Sequence, residues 1–170
     1  MSRARTFGSR IARLEPGALA TSIAVVVLAS LPGVAVRPSN LGSAPNWYEQ
    51  LDKPDWTPPN EFFAPVWGVM YLMIAIAAWR IWRRRHDTAI GNAMLAYAIQ
   101  LALNMLWTPI FFGLRSPEMA LACILALGGV LVWCVVEFKK VNAFAALLMS
   151  IYFCWIGIAT ALTFSIVARN

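Results

Sequence analysis

Five long apolar stretches divide this chain, and each can cross a membrane as a helix. They lie at about residues 17–36, 62–82, 89–114, 119–136 and 141–168. A hydrocarbon core of about 30 Å requires roughly 20 apolar residues in helical form. Backbone groups in lipid must be hydrogen-bonded within one helix or within a closed barrel, and the stretches lack the alternation of barrel strands. The sequence therefore predicts an all-α membrane protein, with a five-helix transmembrane domain over residues 17–170 and a basic tail over residues 1–16.

The basic residues indicate a topology rather than a nucleic-acid partner. The net charge is +6, but only 13% of residues are charged and the cations cluster at helix ends. One end of the predicted bundle receives ten of them: Arg3, Arg5, Arg10, Arg13, Arg80, Arg83, Arg84, Arg85, Lys139 and Lys140. The other end receives four: Arg37, Lys53, Arg115 and Arg169. By the positive-inside rule, the N-terminus is predicted to be cytoplasmic and the C-terminus to lie outside, if the protein is in an inner membrane.

The Arg-rich start admits a second interpretation, a signal peptide. Its apolar run of roughly 20 residues exceeds the 7–15 of a signal core, which favours a retained helix.

The three cysteines fall inside apolar stretches and His86 ends an arginine run, so no spacing typical of a metal site can be drawn. Asp87 or Thr88 is expected to cap the third helix, and Ser116 the fourth, with Pro117 as its first residue.

The connection between the first two predicted helices carries a segment of unusual composition, residues 47–59. It contains three prolines, two tryptophans and four charged residues. A flexible connector requires neither stiff prolines nor aromatic rings. This composition predicts an ordered loop that covers a cavity between the helices.

Polar and aromatic residues recur at helical spacing in three of the stretches. The third has Tyr97, Gln100, Asn104, Trp107 and Phe111 on one face, the second has Trp67 and Tyr71, and the fifth has Tyr152, Trp155 and Ala159. Two interpretations stay open, because such stripes can pack helices together or line a ligand pocket. A pocket of this kind suits a planar, largely apolar ligand. The absence of charged residues deep in the stretches argues against conventional catalysis, and we assign no catalytic residue.

The order of these motifs resembles one family of membrane proteins. The motifs are Trp47-Tyr48, Lys53-Pro54, Trp56-Thr57-Pro58-Pro59, Val66-Trp67 with Tyr71, Gln100 to Asn104 with Trp107 and Phe111-Phe112-Gly113, and Tyr152, Trp155 and Ala159-Thr160. The chain is similar to the translocator protein / tryptophan-rich sensory protein family (TspO/MBR, peripheral-type benzodiazepine receptor). The resemblance implies a five-helix bundle, commonly a homodimer in a lipid membrane, with a pocket beneath the first loop. It also implies binding of porphyrin or haem-type tetrapyrroles as ligands, with no cofactor required.

Matched motif by motif, the resemblance implies a particular set of ligand-binding residues: Tyr48, Pro58, Trp67, Asn104, Trp107, Trp155 and Ala159. It leaves open whether the protein acts as a sensor, a scavenger or a transporter of tetrapyrroles, or as an enzyme that degrades porphyrin in light. In the last case Trp67 and Trp155 are the candidate reactive residues. A structural membrane subunit without a ligand is a further alternative. Phe164 stands where a cholesterol-recognition pattern requires Tyr, so cholesterol binding is not predicted.

Overall fold

The computed structural model describes residues 15–35 and 47–170, and these are helical or form turns between helices. No strand occurs in these two ranges. The tail residues 1–14 and the connection 36–46, including Arg37, lie outside the described residues. The helices are α1 (Pro16–Ala35), the short α2 (Trp47–Gln50), α3 (Asn60–Trp82), α4 (Gly91–Thr108) with a π-helical turn at Pro109–Gly113, α5 (Pro117–Val141) and α6 (Ala143–Arg169).

Four of the described helices are long and apolar enough to cross a membrane. They are Asn60–Trp82, Gly91–Gly113, Pro117–Val141 and Ala143–Arg169, with 23 to 27 residues each. At 1.5 Å per residue each is roughly 35–40 Å long. Large apolar side chains such as Leu72, Leu125 and Phe164 point outward from the bundle. The fold is that of a helical membrane protein, since lipid accommodates such a surface.

The first helix, α1, is described in full over part of its length. It has 20 residues, and the part described in full, Pro16–Leu31, is an apolar helix. It packs against α3 and α4, and Val26 and Ala29 are buried there. The described residues thus contain four helices that meet the criteria for a span, where five spans were predicted.

The end of α5 shows the largest difference between a helix and its apolar stretch. The fourth stretch ends near residue 136, whereas α5 continues to Val141. Charged residues end an apolar run but not a helix, and lysines in the last turn interact favourably with the negative end of the helix dipole. A single residue, Asn142, then separates α5 from α6 and caps the latter, accepting a hydrogen bond from the Ala145 N–H at 2.9 Å.

One predicted cap is present and one is wrong. Ser116 precedes α5, and its side chain accepts a hydrogen bond from the Met119 N–H at 3.4 Å. The prediction of a cap at Asp87 or Thr88 is wrong, because α4 begins later, at Gly91, and Ile90 at its N-cap makes no side-chain bond. The backbone N–H groups of Asp87 and Thr88 instead donate to the Arg84 carbonyl, at 3.0 and 2.9 Å. They therefore belong to the turn that ends α3.

The core lies along the line where α3, α4, α5 and α6 meet. Its fully buried large side chains include Ile74 of α3, Leu131 of α5, and Met149 and Tyr152 of α6. Small residues of α3, among them Ala77, are buried with them and permit close helix approach. This core leaves an internal cleft toward the end of the bundle that carries residues 47–59.

Glu15 anchors the start of α1 to the opposite end of the bundle. Arg85 donates to its carboxylate at 2.7 Å, and the Trp79 indole N–H donates to its carbonyl at 3.4 Å. The hydrogen bond from Arg85 holds the pKa of Glu15 below its ordinary value. The start of α1 is therefore held by the arginine-rich end of α3.

Candidate ligand-binding site

An aromatic cleft lies between α3, α4, α5 and α6. Its empty space is about 290 Å³, counting the part that opens outward. Nine residues line it: Trp67, Tyr71, Asn104, Trp107, Thr108, Ile124, Leu127, Ile156 and Ala159. None of these side chains carries a formal charge at neutral pH. Apolar walls with a few polar groups are typical of small-molecule sites.

Asn104 is the polar centre of the cleft. Its Nδ2 donates to Tyr152 Oη at 2.6 Å, and its Oδ1 accepts from the Tyr71 hydroxyl at 3.2 Å. Tyr152 is fully buried and Asn104 nearly so. Since the three residues belong to α4, α6 and α3, the amide ties three helices together. Asn104 thus holds helices together and also lines the cleft. At this residue, helix packing and the lining of a ligand pocket are compatible interpretations.

Trp67 forms one wall of the cleft. Its ring lies 5.3 Å from that of Tyr71 and 6.4 Å from that of Tyr152, measured between centroids. These two tyrosines are the ones hydrogen-bonded to Asn104. Ala159 also lines the cleft, where its small side chain leaves space. The orientation of Trp67 is consequently set by the same groups that fix Asn104.

The π-helical turn after α4 directs aromatic rings toward the loop. Pro109 has no N–H to continue the α-helical pattern, and the Leu114 N–H bonds to its carbonyl at 2.9 Å instead. Phe111 within the turn is buried and stacks on Trp107, with 5.1 Å between centroids. Turns of this kind recur at functional sites.

Tyr48 reaches the cleft only through these rings. It lies 6.1 Å from Phe111 and 5.5 Å from Phe112, measured between centroids. Burial raises the pKa of Tyr48. Lys53 donates to the Tyr48 carbonyl at 2.7 Å, and its ammonium lies 4.6 Å from the centre of the Tyr48 ring. Tyr48 therefore lies one layer of rings away from the cleft.

Pro58 and Trp155 are the other implied residues that do not line the cleft. Pro58 is half-buried and follows a turn in which the Thr57 N–H donates to the Pro54 carbonyl at 2.9 Å. The Trp155 ring packs against Phe63 of α3 at 6.2 Å between centroids. The structure thus brings four of the seven residues together on the cleft, namely Trp67, Asn104, Trp107 and Ala159.

The residues 47–59 are attached to the far end of α6. The Asp52 N–H donates to Asn170 Oδ1 at 3.0 Å, and Asn170 Nδ2 donates to the Asp52 carbonyl at 3.1 Å. Arg169 lies 3.6 Å from the Asp52 carboxylate, but both side chains are largely exposed. An exposed ion pair of this kind contributes little. The reciprocal amide contact is therefore the main polar attachment among the described residues, beside the packing of Trp47, Tyr48 and Leu51 in an apolar cluster with Phe111.

Five of the nine residues that line the cleft are not among the seven ligand-binding residues implied by the family resemblance. They are Tyr71, Thr108, Ile124, Leu127 and Ile156. Tyr71 had a signal, because it lies four residues after Trp67 on one helix face. The α5 residues had none, since α5 is apolar on every side. Gln100 is fully buried one turn before Asn104, with both amide atoms unpartnered, yet it does not line the cleft.

The arrangement suits binding better than acid–base chemistry. No carboxylate, histidine or lysine lines the cleft. Within the described ranges, no three His, Cys, Asp or Glu side chains are grouped to hold a metal ion. Two indole N–H groups near the cleft, those of Trp107 and Trp155, are buried without an acceptor. A ligand with carbonyl or carboxylate oxygens would satisfy such donors.

Apolar helices around an uncharged aromatic interior define an integral membrane protein of the helical-bundle class. The chain belongs to the TspO/MBR family, whose family model matches residues 20–169. It is 33% identical over 152 residues to "Translocator protein" of Sus scrofa, covering 88% of this chain and 89% of that protein. It is 38% identical over 126 residues to "Protein CrtK" of Rhodobacter capsulatus, covering 73% and 78%. It is 34% identical over 124 residues to "Tryptophan-rich sensory protein" of Cereibacter sphaeroides, covering 73% and 77%.

Replacing Asn104 with leucine is expected to lower the free energy of unfolding by about 1–3 kcal/mol, because the buried Tyr152 hydroxyl loses its donor. In a Tyr152→Phe background the same substitution should cost clearly less, since the interaction is already absent. Denaturant unfolding in micelles, followed by circular dichroism, measures both. Asn92→Leu, at an exposed position of α4, is the control. Strictly additive losses would show that the two side chains are not coupled.

Substituting Asn170 with alanine should loosen the 47–59 segment. The loss of the bond from the Asp52 N–H predicts roughly 3–10-fold faster amide exchange over residues 50–57. Hydrogen–deuterium exchange with mass spectrometry measures the rate. Asn60→Ala, at the exposed start of α3, should leave the rate unchanged. Equal exchange in Asn170→Ala and the parent would rule out this attachment.

Proposed function

We propose that this protein binds a porphyrin or haem-type tetrapyrrole in the cleft and acts as a sensor, scavenger or transporter of that ligand. One observation carries the proposal: Trp67, Trp107 and Asn104, all expected at the ligand, line a single uncharged cleft. Indole faces complement a flat conjugated ring, and the amide complements a polar edge. The family relationship supports the same class of ligand.

The size of the cleft indicates how such a ligand enters. The enclosed cavity within the cleft is only about 20 Å³, room for about one water molecule and far below the range of about 300–1,000 Å³ for ligand pockets. A tetrapyrrole therefore requires the surrounding rings to separate. The 47–59 segment is attached by few polar contacts and covers the rings next to the cleft, so its displacement provides the opening. The unpartnered indole N–H groups of Trp107 and Trp155 then become donors for the ligand.

The proposal includes a membrane topology with five crossings. α1 packs against α3 and α4, with Val26 and Ala29 buried, and serves as the additional span. The Asp52–Asn170 contact puts residues 47–59 and the C-terminus at one end, and the arginine-rich end lies opposite. By the positive-inside rule, the arginine-rich end and the N-terminus face the cytoplasm.

We also propose that the protein forms a homodimer through α5. Ala122, Ala126 and Gly129 are exposed on one side of this helix. A Cβ atom placed on Gly129 would meet nothing within 4 Å. Small residues allow helices in lipid to approach closely. This face is therefore available to a second copy of the chain.

The test fills the cleft without removing any tryptophan. Ala159→Phe places a ring in the cleft and should weaken protoporphyrin binding at least tenfold. Titration of the protein in neutral nanodiscs, followed by porphyrin absorbance, gives the dissociation constant. Ala161→Phe adds the same ring two residues away at an exposed position of α6 and should bind like the parent. Equal affinity in the two variants would place the porphyrin outside the cleft.

A second candidate function is the light-dependent degradation of porphyrin. The favouring observation is that Trp67 lies in the cleft wall beside two tyrosines, which are oxidisable rings next to the proposed ligand. The reaction needs dioxygen as the oxidant and the excited porphyrin as the sensitiser. Illuminated complexes should then bleach faster than porphyrin in empty nanodiscs. The double variant Trp67→Phe with Trp155→Phe should lose this additional bleaching, whereas Trp82→Phe should retain it. An equal effect of the double variant and of Trp82→Phe would exclude this role.

A further inference from the structure

Cations outnumber carboxylates at the arginine-rich end of the bundle. We define this basic end by six residues: Arg80, Arg83, Arg84, Arg85, Lys139 and Lys140. Three carboxylates are present there, and each pairs with one cation: Glu15 with Arg85 at 2.7 Å, Asp87 with Arg84 at 3.8 Å, and Glu137 with Lys140 at 2.6 Å. All eight acidic residues of the chain lie in the described ranges, and none of them forms an ion pair within 4 Å of Arg80 or Arg83, although the Glu15 carboxylate is attracted to Arg83 at longer range.

Arg80 and Arg83 are held in place although they lack carboxylate partners. The Arg80 guanidinium lies 4.7 Å from the centre of the Phe144 ring, and that of Arg83 lies 4.9 Å from the centre of a Trp79 ring. The Nε atom of each arginine is buried and has no acceptor. A buried donor without an acceptor is unfavourable. Only the Nε atoms are buried in this way, so the terminal nitrogens of the two guanidinium groups are the donors that an anion from outside can reach.

The two arginines occupy neighbouring positions on one helix. Arg80 and Arg83 are three residues apart, so they project from neighbouring positions at the end of α3. Phe144, which lies under Arg80, is the second residue of α6, so the positive end of the α6 dipole is close by. Guanidinium groups bind phosphate oxygens through paired hydrogen bonds. The geometry points to a phosphate site between the end of α3 and the start of α6.

We propose that Arg80 and Arg83 bind the phosphate group of an anionic phospholipid. Phe144, whose ring the Arg80 guanidinium covers, is 48% exposed and provides apolar surface for acyl chains. Aromatic rings with arginines at a helix end are typical of the headgroup level of a membrane. A phosphate ester attached to acyl chains matches both features, whereas free phosphate matches only the arginines. The site lies at the opposite end of the bundle from the cleft and is independent of the tetrapyrrole proposal.

The test compares two pairs of charge removals in the full chain. Arg80→Gln with Arg83→Gln removes the proposed site, and Arg84→Gln with Lys139→Gln removes the same charge from the same end. The probe is phosphatidylglycerol in phosphatidylcholine nanodiscs, and native mass spectrometry counts the retained lipid. At about fivefold per basic residue, the first pair should weaken retention roughly thirtyfold. The second pair should weaken it less than threefold.

Further measurements distinguish specific lipid binding from diffuse electrostatic attraction and from binding of free phosphate. Equal losses in the two pairs would show a diffuse electrostatic attraction and overturn the proposal. Competition of the lipid by millimolar inorganic phosphate would assign the site to the free anion and overturn the lipid assignment. If the glutamine pair does not fold, Arg80→Lys with Arg83→Lys keeps the charge and loses the paired donors; it should retain lipid several-fold less well than the parent. Retention equal to the parent in this lysine pair would exclude guanidinium recognition.

Discussion

The hydrogen bonds of Asn104 to Tyr71 and Tyr152 hold the interior of this bundle together. In lipid, helices gain little from apolar burial against one another, so a satisfied polar contact between them has more weight. Here one amide joins α4 to α3 and to α6, at 3.2 and 2.6 Å. The two tyrosines in turn pack against Trp67. A single polar residue therefore fixes both the helix arrangement and one wall of the cleft.

The two ends of the bundle are organised differently. At one end, the 47–59 segment lies over Phe111 and Phe112 and is attached to Asn170 by two hydrogen bonds to one residue. At the other end, arginines pack on aromatic rings and pair with Glu15 and Asp87. A covering that is attached by few polar contacts and packs on the rings beside the cleft suits a site whose ligand enters at that end.

The sequence predicted the interior more successfully within a helix than between helices. Periodicity alone put Asn104 and Trp107 on one face, and both line the cleft. The pairing of Asn104 with Tyr71 could not be read from the sequence, because spacing along one helix does not say which residue faces it from another. Ile124 and Leu127 carry no polar marker. Trp155 lies on the same helix face as Ala159, yet its ring packs against Phe63. Residues on one helix face cover a wider surface than the cleft, so not all of them line it. The cap expected at Asp87 or Thr88 failed because those amides complete the turn after α3.

A structure of the protein in nanodiscs with bound zinc protoporphyrin tests the central claim most directly. The account predicts the macrocycle between Trp67 and Ala159, with an edge near Asn104 and Trp107, and with residues 47–59 displaced from Phe111. A macrocycle lying on the lipid-facing surface of the helices, with the Asn104 hydrogen bonds and the cleft unchanged, would contradict it.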